Sequence, residues 1–186
     1  MSPVRDSEDQ DIEVVRRVLD GDVETFRVLV ERHQSRVLAM GMRFLRNRES
    51  AEDYSQEVFL RVYRSLSTFR GESRFYSWLM RIAYHMAIDA NSSVRRVESL
   101  GELEPADSGR TPEEQLLYQR TREAVQLAMK ELPSHHAVCI ELYFFFDLKY
   151  EEISGMTGFP VNTIKSHVRR AKMRLRETLA DSVTEA

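Results

Sequence analysis

The segment "DLKYEEISGMTGFPVNTIKSHVRRAKMRLRE", Asp147 to Glu177, restricts the possible folds more than any other part of the chain. Ile153 and Met156 give a short first helix an inward face, and Gly158 supplies the positive φ that a tight turn needs. Pro160 suits the entry of a second helix, because its ring fixes φ near the helical value. Beyond it, Ile164, Val168, Ala171 and Leu175 recur at i, i+4, i+7 and i+11, an inward stripe at helical spacing. Lys165, Arg169, Lys172 and Arg176 make a cationic stripe beside it, and Asn162, Thr163 and Ser166 lie at the helix start. A short helix, a tight turn and a longer basic helix form a helix-turn-helix, whose second helix enters the major groove N-terminus first. In that geometry Asn162, Lys165, Ser166 and Arg169 are placed for base edges, and His167, Arg170, Lys172 and Arg174 for phosphates.

The rest of the chain also reads as helical. Apolar residues recur at helical spacing through Phe26, Leu29, Val30, Val37, Met40 and Phe44, and again through Val58, Phe59, Val62 and Leu66. Ser50 and Asp53 have the spacing of a capping box at the start of that second helix. Leu79, Ile82, Ala83 and Met86 continue the pattern. In the back half, Leu116, Leu117, Val125, Leu127 and Leu132 predict an amphipathic helix that ends at Pro133, followed by the apolar run "SHHAVCIELYFFF". No alternating strand pattern stands out, so the fold class is all-α.

Charge is distributed in blocks. The net charge of −3 conceals a stretch of −5 from Glu98 to Glu114 and one of +5 from Pro160 to Glu177. Opposed blocks in one chain suit separate surfaces for separate partners. The acidic block carries Gly101, Pro105, Gly109 and Pro112, which is linker composition. It divides the chain into a front domain 1–96, a flexible acidic linker 97–112 and a helix-turn-helix domain 113–186. No apolar run approaches the ~20 residues needed to span a bilayer, and the N-terminus lacks a secretory apolar core, so the expected compartment is the cytoplasm. The single cysteine, Cys139, sits in an apolar helical run and reads as a small buried hydrophobe.

One front-half segment poses a question of its own. "FRGESRFYSWLMRIAYH", Phe69 to His85, mixes Arg70, Arg74 and Arg81 with Phe69, Phe75, Tyr76, Trp78 and Tyr84. Its composition allows a core helix with a charged rim, or a surface that holds phosphates and stacks unpaired bases. Both readings stay open on the residues alone. The acids Glu49, Glu52 and Asp53 raise an enzyme reading, since all-α nucleotide pyrophosphohydrolases hold Mg²⁺ with such a cluster. That reading needs a second carboxylate pair on a facing helix, and Asp89 alone does not supply it. Acids are in any case favoured at a helix N-terminus. His135 and His136 lack a companion Cys/His cluster in sequence, so no metal site and no cofactor are expected. A regulator with a helix-turn-helix effector domain is the remaining alternative, and the front half shows no receiver-type acidic pocket for it.

Taken together, "AEDYSQEVFLRVYRSLSTFRGESRFYSWLMRIAYHMAID" and "ELPSHHAVCIELYFFFDLKYEEISGMTGFPVNTIKSHVRRAKMRLRE" resemble regions two and four of the extracytoplasmic-function (ECF) sigma factors. The resemblance runs from about Asp11 to Leu179. It implies a non-enzymatic initiation factor that binds core RNA polymerase, at the clamp helices of the largest subunit and at the flap, together with duplex and single-stranded promoter DNA. Asp53, Gln56, Glu57, Phe59 and Arg61 match the clamp-docking helix. Phe69, Arg70, Arg74, Phe75, Tyr76 and Trp78 match the loop and helix that capture a flipped minus-ten base, with Arg81, His85 and Asp89 along the same helix. The family commonly has asparagine where this chain has His85, which changes what that position offers a base. Asn162, Thr163, Lys165, Ser166, His167, Arg169, Arg170 and Arg174 match the minus-thirty-five recognition helix. The acidic linker would thread the polymerase's channels. The family is held inactive by anti-sigma factors, often membrane-anchored. The tail "ADSVTEA" carries no added domain, so control by a separate protein is expected, with no membrane insertion by this chain.

Overall fold

Every regular element among the described residues is helical, which agrees with the all-α reading. The computed structural model describes residues 3–45, 47–93 and 111–184, and the chain divides into two units, Met1–Arg95 and Arg96–Ala186. The first unit contains α1 (Pro3–Leu19), α2 (Phe26–Leu45), α3 (Arg48–Ser65) and α4 (Phe75–Ser93). The second contains α5 (Pro112–Lys130), α6 (Ser134–Phe144), α7 (Tyr150–Thr157) and α8 (Val161–Thr184). The predicted linker 97–112 lies outside the described residues apart from its last two. Thr111 caps α5 in a reciprocal capping box with Glu114, and Pro112 is already helical.

In the first unit α2, α3 and α4 pack on one another, and α1 lies against α2 and α4. Leu29, Val37 and Met40 of α2, Val58 and Val62 of α3, and Leu79, Met80 and Ala83 of α4 are buried between them. α2 and α3 approach closely where Gly41 faces Ala51 and Tyr54. A Cβ at Gly41 would lie 2.7 Å from Tyr54 Cδ1 and 3.1 Å from the Ala51 backbone. Tyr54 cannot move aside freely, because its hydroxyl donates to the Ala83 carbonyl at 2.6 Å in the core. Gly41→Ala is therefore expected to destabilise this unit by about 1–2 kcal/mol, overpacking outweighing the gain in helix propensity. Urea unfolding followed by the single tryptophan, Trp78, reads this unit alone.

The cap of α3 departs from the predicted Ser50–Asp53 box. Asn47 occupies the N-cap in an extended conformation, and its side chain accepts from the Ser50 N–H at 2.9 Å. Asparagine is as good an N-cap as serine, and it precedes a further turn of helix that Arg48 and Glu52 brace with an i,i+4 pair at 2.9 Å. The acid-rich α1 has no counterpart in the sequence reading. Its inward residues are Asp11, Val15 and Val18.

In the second unit α8 is the central element, with α5, α6 and α7 all packed on it. Ile164, Val168 and Ala171 are buried and Leu175 is half-buried, as their spacing predicts. The expected apolar face of α5 is only partly used. Leu116, Val125 and Leu127 are exposed, and full burial begins at Ala128 and Met129, where α5 meets Ile140 and Ala171.

Candidate nucleic-acid and partner-binding surfaces

The turn between α7 and α8 is built from local hydrogen bonds. Gly158 takes φ +75°, which lets its N–H close on the Ser154 carbonyl at 3.0 Å. The Ser154 hydroxyl donates to the Phe159 carbonyl at 2.7 Å, and the Pro160 carbonyl accepts from Thr163 and Ile164, opening α8. Asn162, Lys165, Ser166, Arg169, Arg170 and Arg174 are exposed along the helix, while Thr163 and His167 are half-buried.

Two of the lysines lie over rings the sequence reading did not connect to them. Lys165 Nζ lies 5.8 Å from the Tyr150 ring centre, and Lys172 Nζ lies 4.4 Å from that of Phe144. Tyr150 itself stacks on Tyr143 at 4.6 Å. Arg174 faces Glu131 and Glu177 at 3.9 Å each, exposed pairs worth at most about 1 kcal/mol and readily exchanged for a phosphate.

In the first unit, α4 separates the residues of its mixed segment by exposure. Trp78, Arg81 and His85 recur at i, i+3 and i+7, which places them on one line roughly 10 Å long, and Arg74 immediately precedes the helix. Arg81 and His85 are exposed, and Arg74 and Trp78 are half-buried. Phe75, Leu79 and Ala83 form the opposite, buried side. Phe75 is 1% exposed, so it cannot meet a base. Its role is support: its ring centre lies 5.7 Å from Phe69 and 5.8 Å from Trp78, holding both rings at the surface. Tyr76 leaves the line as well. It packs toward His33 at 5.8 Å, with the Arg74 guanidinium 5.9 Å from its ring. The loop before α4 turns at Gly71, φ +71°, and leaves Arg70 exposed.

α3 presents Asp53, Gln56, Glu57 and Arg61 to solvent. Phe59, read with them as a polymerase contact, is 7% exposed and faces α2. Beside it runs an apolar groove between α2 and α3, in which Phe26 and Tyr63 meet edge to face at 5.1 Å and Leu60 stays 49% exposed. No second carboxylate group converges on Glu49, Glu52 and Asp53 among the described residues, so the Mg²⁺ reading has no geometry to support it.

Two features are invisible to local sequence reasoning. Asp11 of α1, 3% exposed, accepts from Arg32 and pairs with His33 Nε2 at 2.8 Å, joining α1 to α2 directly behind Phe75. In the second unit His135 and His136 of α6 converge with His167 of α8. Burial, then the neighbouring imidazoles and Arg170, hold the His136 and His167 pKa values below the usual histidine range. Burial pushes the Cys139 thiol up to about 11, which keeps it protonated and unreactive.

A helix-turn-helix with an exposed cationic face, and a second helical unit with arginines beside partly exposed rings, have the chemistry of a nucleic-acid-binding protein. The comparisons with known proteins then fix the family. Residues 29–97 match the family model of Sigma-70 region 2, and residues 122–175 match that of Sigma-70, region 4. The RNA polymerase sigma-H factor of Pseudomonas aeruginosa is 30% identical, over 97% of this chain and 99% of its own. The ECF RNA polymerase sigma-E factor of Escherichia coli K12 is 33% identical, over 86% of this chain and 88% of its own. Among solved structures, CnrH in complex with the cytosolic domain of CnrY superposes with a TM-score of 0.62 at 18% identity, covering 90% of this chain and 96% of that one. The sigma factor RpoE in complex with the anti-sigma factor NepR from Bartonella quintana gives 0.60 at 20% identity, covering 83% and 96%. These two share the fold. The chain belongs to the ECF sigma factors, a class of transcription regulators not known as enzymes. No helix among its described residues is long and apolar enough to cross a membrane.

Proposed function

We propose that this chain docks on core RNA polymerase through the outer face of α3, reads the minus-thirty-five duplex with the N-terminal half of α8, and captures opened minus-ten bases along α4. The observation that carries the reading is the line of Trp78, Arg81 and His85 on α4, with Arg74 just before the helix, set opposite a buried face that keeps it rigid. Arginines at that spacing suit successive phosphates, and a ring among them suits an unstacked base. Unpairing costs a few kcal/mol per flipped base, and each stacked base returns roughly 1–3 kcal/mol, so bases are trapped as they leave the duplex. The imidazole of His85, exposed at the end of the line, offers one donor and one acceptor to a base edge, which sets a minus-ten preference distinct from that of an asparagine.

Asp53, Gln56, Glu57 and Arg61 supply polar contacts to the polymerase clamp, and the apolar groove beside Phe59 gives that interface a hydrophobic centre. The flap is the expected contact of the second unit. The acidic linker threads the polymerase's channels, where its carboxylates mimic nucleic acid. The chain works in the cytoplasm, catalyses nothing itself and relies on the core for phosphodiester chemistry. Both solved structures named above hold a protein partner, in one of them an anti-sigma factor bound to a sigma factor, which supports control of this chain by a protein of that kind.

Arg169 tests the duplex-reading surface. It is exposed on α8 one turn beyond Lys165. Arg169→Ala is expected to lower promoter binding about 5- to 150-fold, the value of one good base contact, with binding to core polymerase intact. A footprint unchanged over the minus-thirty-five element would remove this helix face from base readout.

A further inference from the structure

His135 and His136 lie in the first turn of α6, and His167 lies 31 positions beyond His136, in the second turn of α8. The fold nevertheless brings all three rings together, with centres 4.5, 4.6 and 4.8 Å apart. One nitrogen from each lies within 4.8 Å of the others. His136 Nε2 and His167 Nδ1 are sealed from solvent and have no hydrogen-bond partner. A buried nitrogen without a partner is a standing cost, and here two such rings meet each other and a third imidazole. Phe159, 5.5 Å from His167, closes one side with an apolar wall.

We propose that His135, His136 and His167 bind a zinc-class divalent cation that ties the start of α6 to the recognition helix. Three imidazoles suit Zn²⁺, Co²⁺ or Ni²⁺ and do not suit Mg²⁺ or Ca²⁺, which take oxygen ligands. Metal–nitrogen bonds of about 2.0–2.1 Å need nitrogens about 3.3 Å apart in a tetrahedron, closer than the present spacing. His135 is exposed and free to swing inward, so side-chain rotation suffices to close the set. Solvent completes the fourth position. Arg170 adds a cationic field at His136 and His167, which weakens the site relative to a closed structural zinc centre. His167 is half-buried and turns its ring toward α6, about 160° around the helix from Arg169, so loading would brace the recognition helix from behind its base-reading residues. That consequence rests on the promoter-reading proposal; the metal site itself does not.

The test is cobalt titration of the tag-free full-length protein, read by visible absorption and followed by zinc competition. The expected result is a tetrahedral Co²⁺ spectrum saturating at roughly one equivalent per chain and lost on adding Zn²⁺. His136→Ala with His167→Ala is expected to weaken uptake about 100-fold or more, and Cys139→Ala to leave it unchanged. Circular dichroism checks that the double variant is folded. If it is not, the exposed single substitution His135→Gln must still weaken uptake at least about tenfold. Equal uptake by the histidine variants and the unsubstituted chain, or none by the unsubstituted chain in large cobalt excess, would overturn the proposal. Neither outcome bears on promoter recognition, which is measured separately.

Discussion

Asp11→Ala is expected to destabilise the first unit by about 3 kcal/mol. The carboxylate is 3% exposed and holds two groups of α2, Arg32 and His33. Its removal strands the His33 ring in a site 7% exposed, between α1 and the Phe75 and Tyr76 rings. Taking away one member of a buried charged pair costs about 3–5 kcal/mol, and the lower end applies because Arg32 is partly exposed and can turn to water. For a unit of this size the loss lowers the melting temperature by about 12–24 °C. Asp11→Asn keeps a hydrogen-bond acceptor and is expected to cost less. Trp78 fluorescence during thermal unfolding provides the measurement, and a loss below about 1 kcal/mol would show that the pair is dispensable.

Trp78→Ala is expected to lower open-complex formation about 5- to 150-fold, which corresponds to the 1–3 kcal/mol of one stacked base. The ring is half-buried on α4, in line with Arg81 and His85, and is propped by Phe69 at 5.4 Å and Phe75 at 5.8 Å. Because it touches Phe75, its truncation also loosens the core edge. Trp78→Phe separates the two effects: it keeps a stacking surface and is expected to restore most opening. Permanganate reactivity of the minus-ten thymines reads opening, and footprinting of the minus-thirty-five element reads duplex binding. Opening must fall while duplex binding holds. Parallel loss of both would indicate misfolding, and unchanged opening would remove the ring from strand capture.

The parts of the molecule legible in sequence are those set by neighbours within a turn or two. The helix-turn-helix is one of them: Gly158 supplies its own positive φ, and Ile164, Val168 and Ala171 mark the inward face by spacing alone. The cap of α3 was misplaced by one turn because Asn47 and Ser50 are competing caps, and only the backbone conformation at Asn47 decides between them. Composition identified the arginine–aromatic segment but not which rings face out. Helical spacing from Phe75 through Leu79 and Ala83 assigns Phe75 to the core, and burial confirms that assignment. The Asp11–His33 pair spans 22 positions and joins two helices, so no local pattern announces it. The histidine cluster escaped for the same reason, His167 being far from His135 and His136 in sequence and close only once α6 packs on α8.

The same packing supports the proposed function. Each proposed recognition surface is a helix face whose opposite side is buried: α4 against α2 and α3, and α8 against α6 and α7. Rigid support fixes where the guanidinium and ring groups stand, so little ordering is left to be done when DNA arrives.

Multi-round transcription by purified core RNA polymerase on a randomised promoter library, with and without this chain, tests whether the chain starts transcription. Transcripts are expected that depend on the chain, start downstream of a shared pair of elements at minus ten and minus thirty-five, and vanish when Trp78 and Arg169 are both replaced by alanine. Association with core polymerase without transcripts from any template, or no association at all, would contradict this expectation.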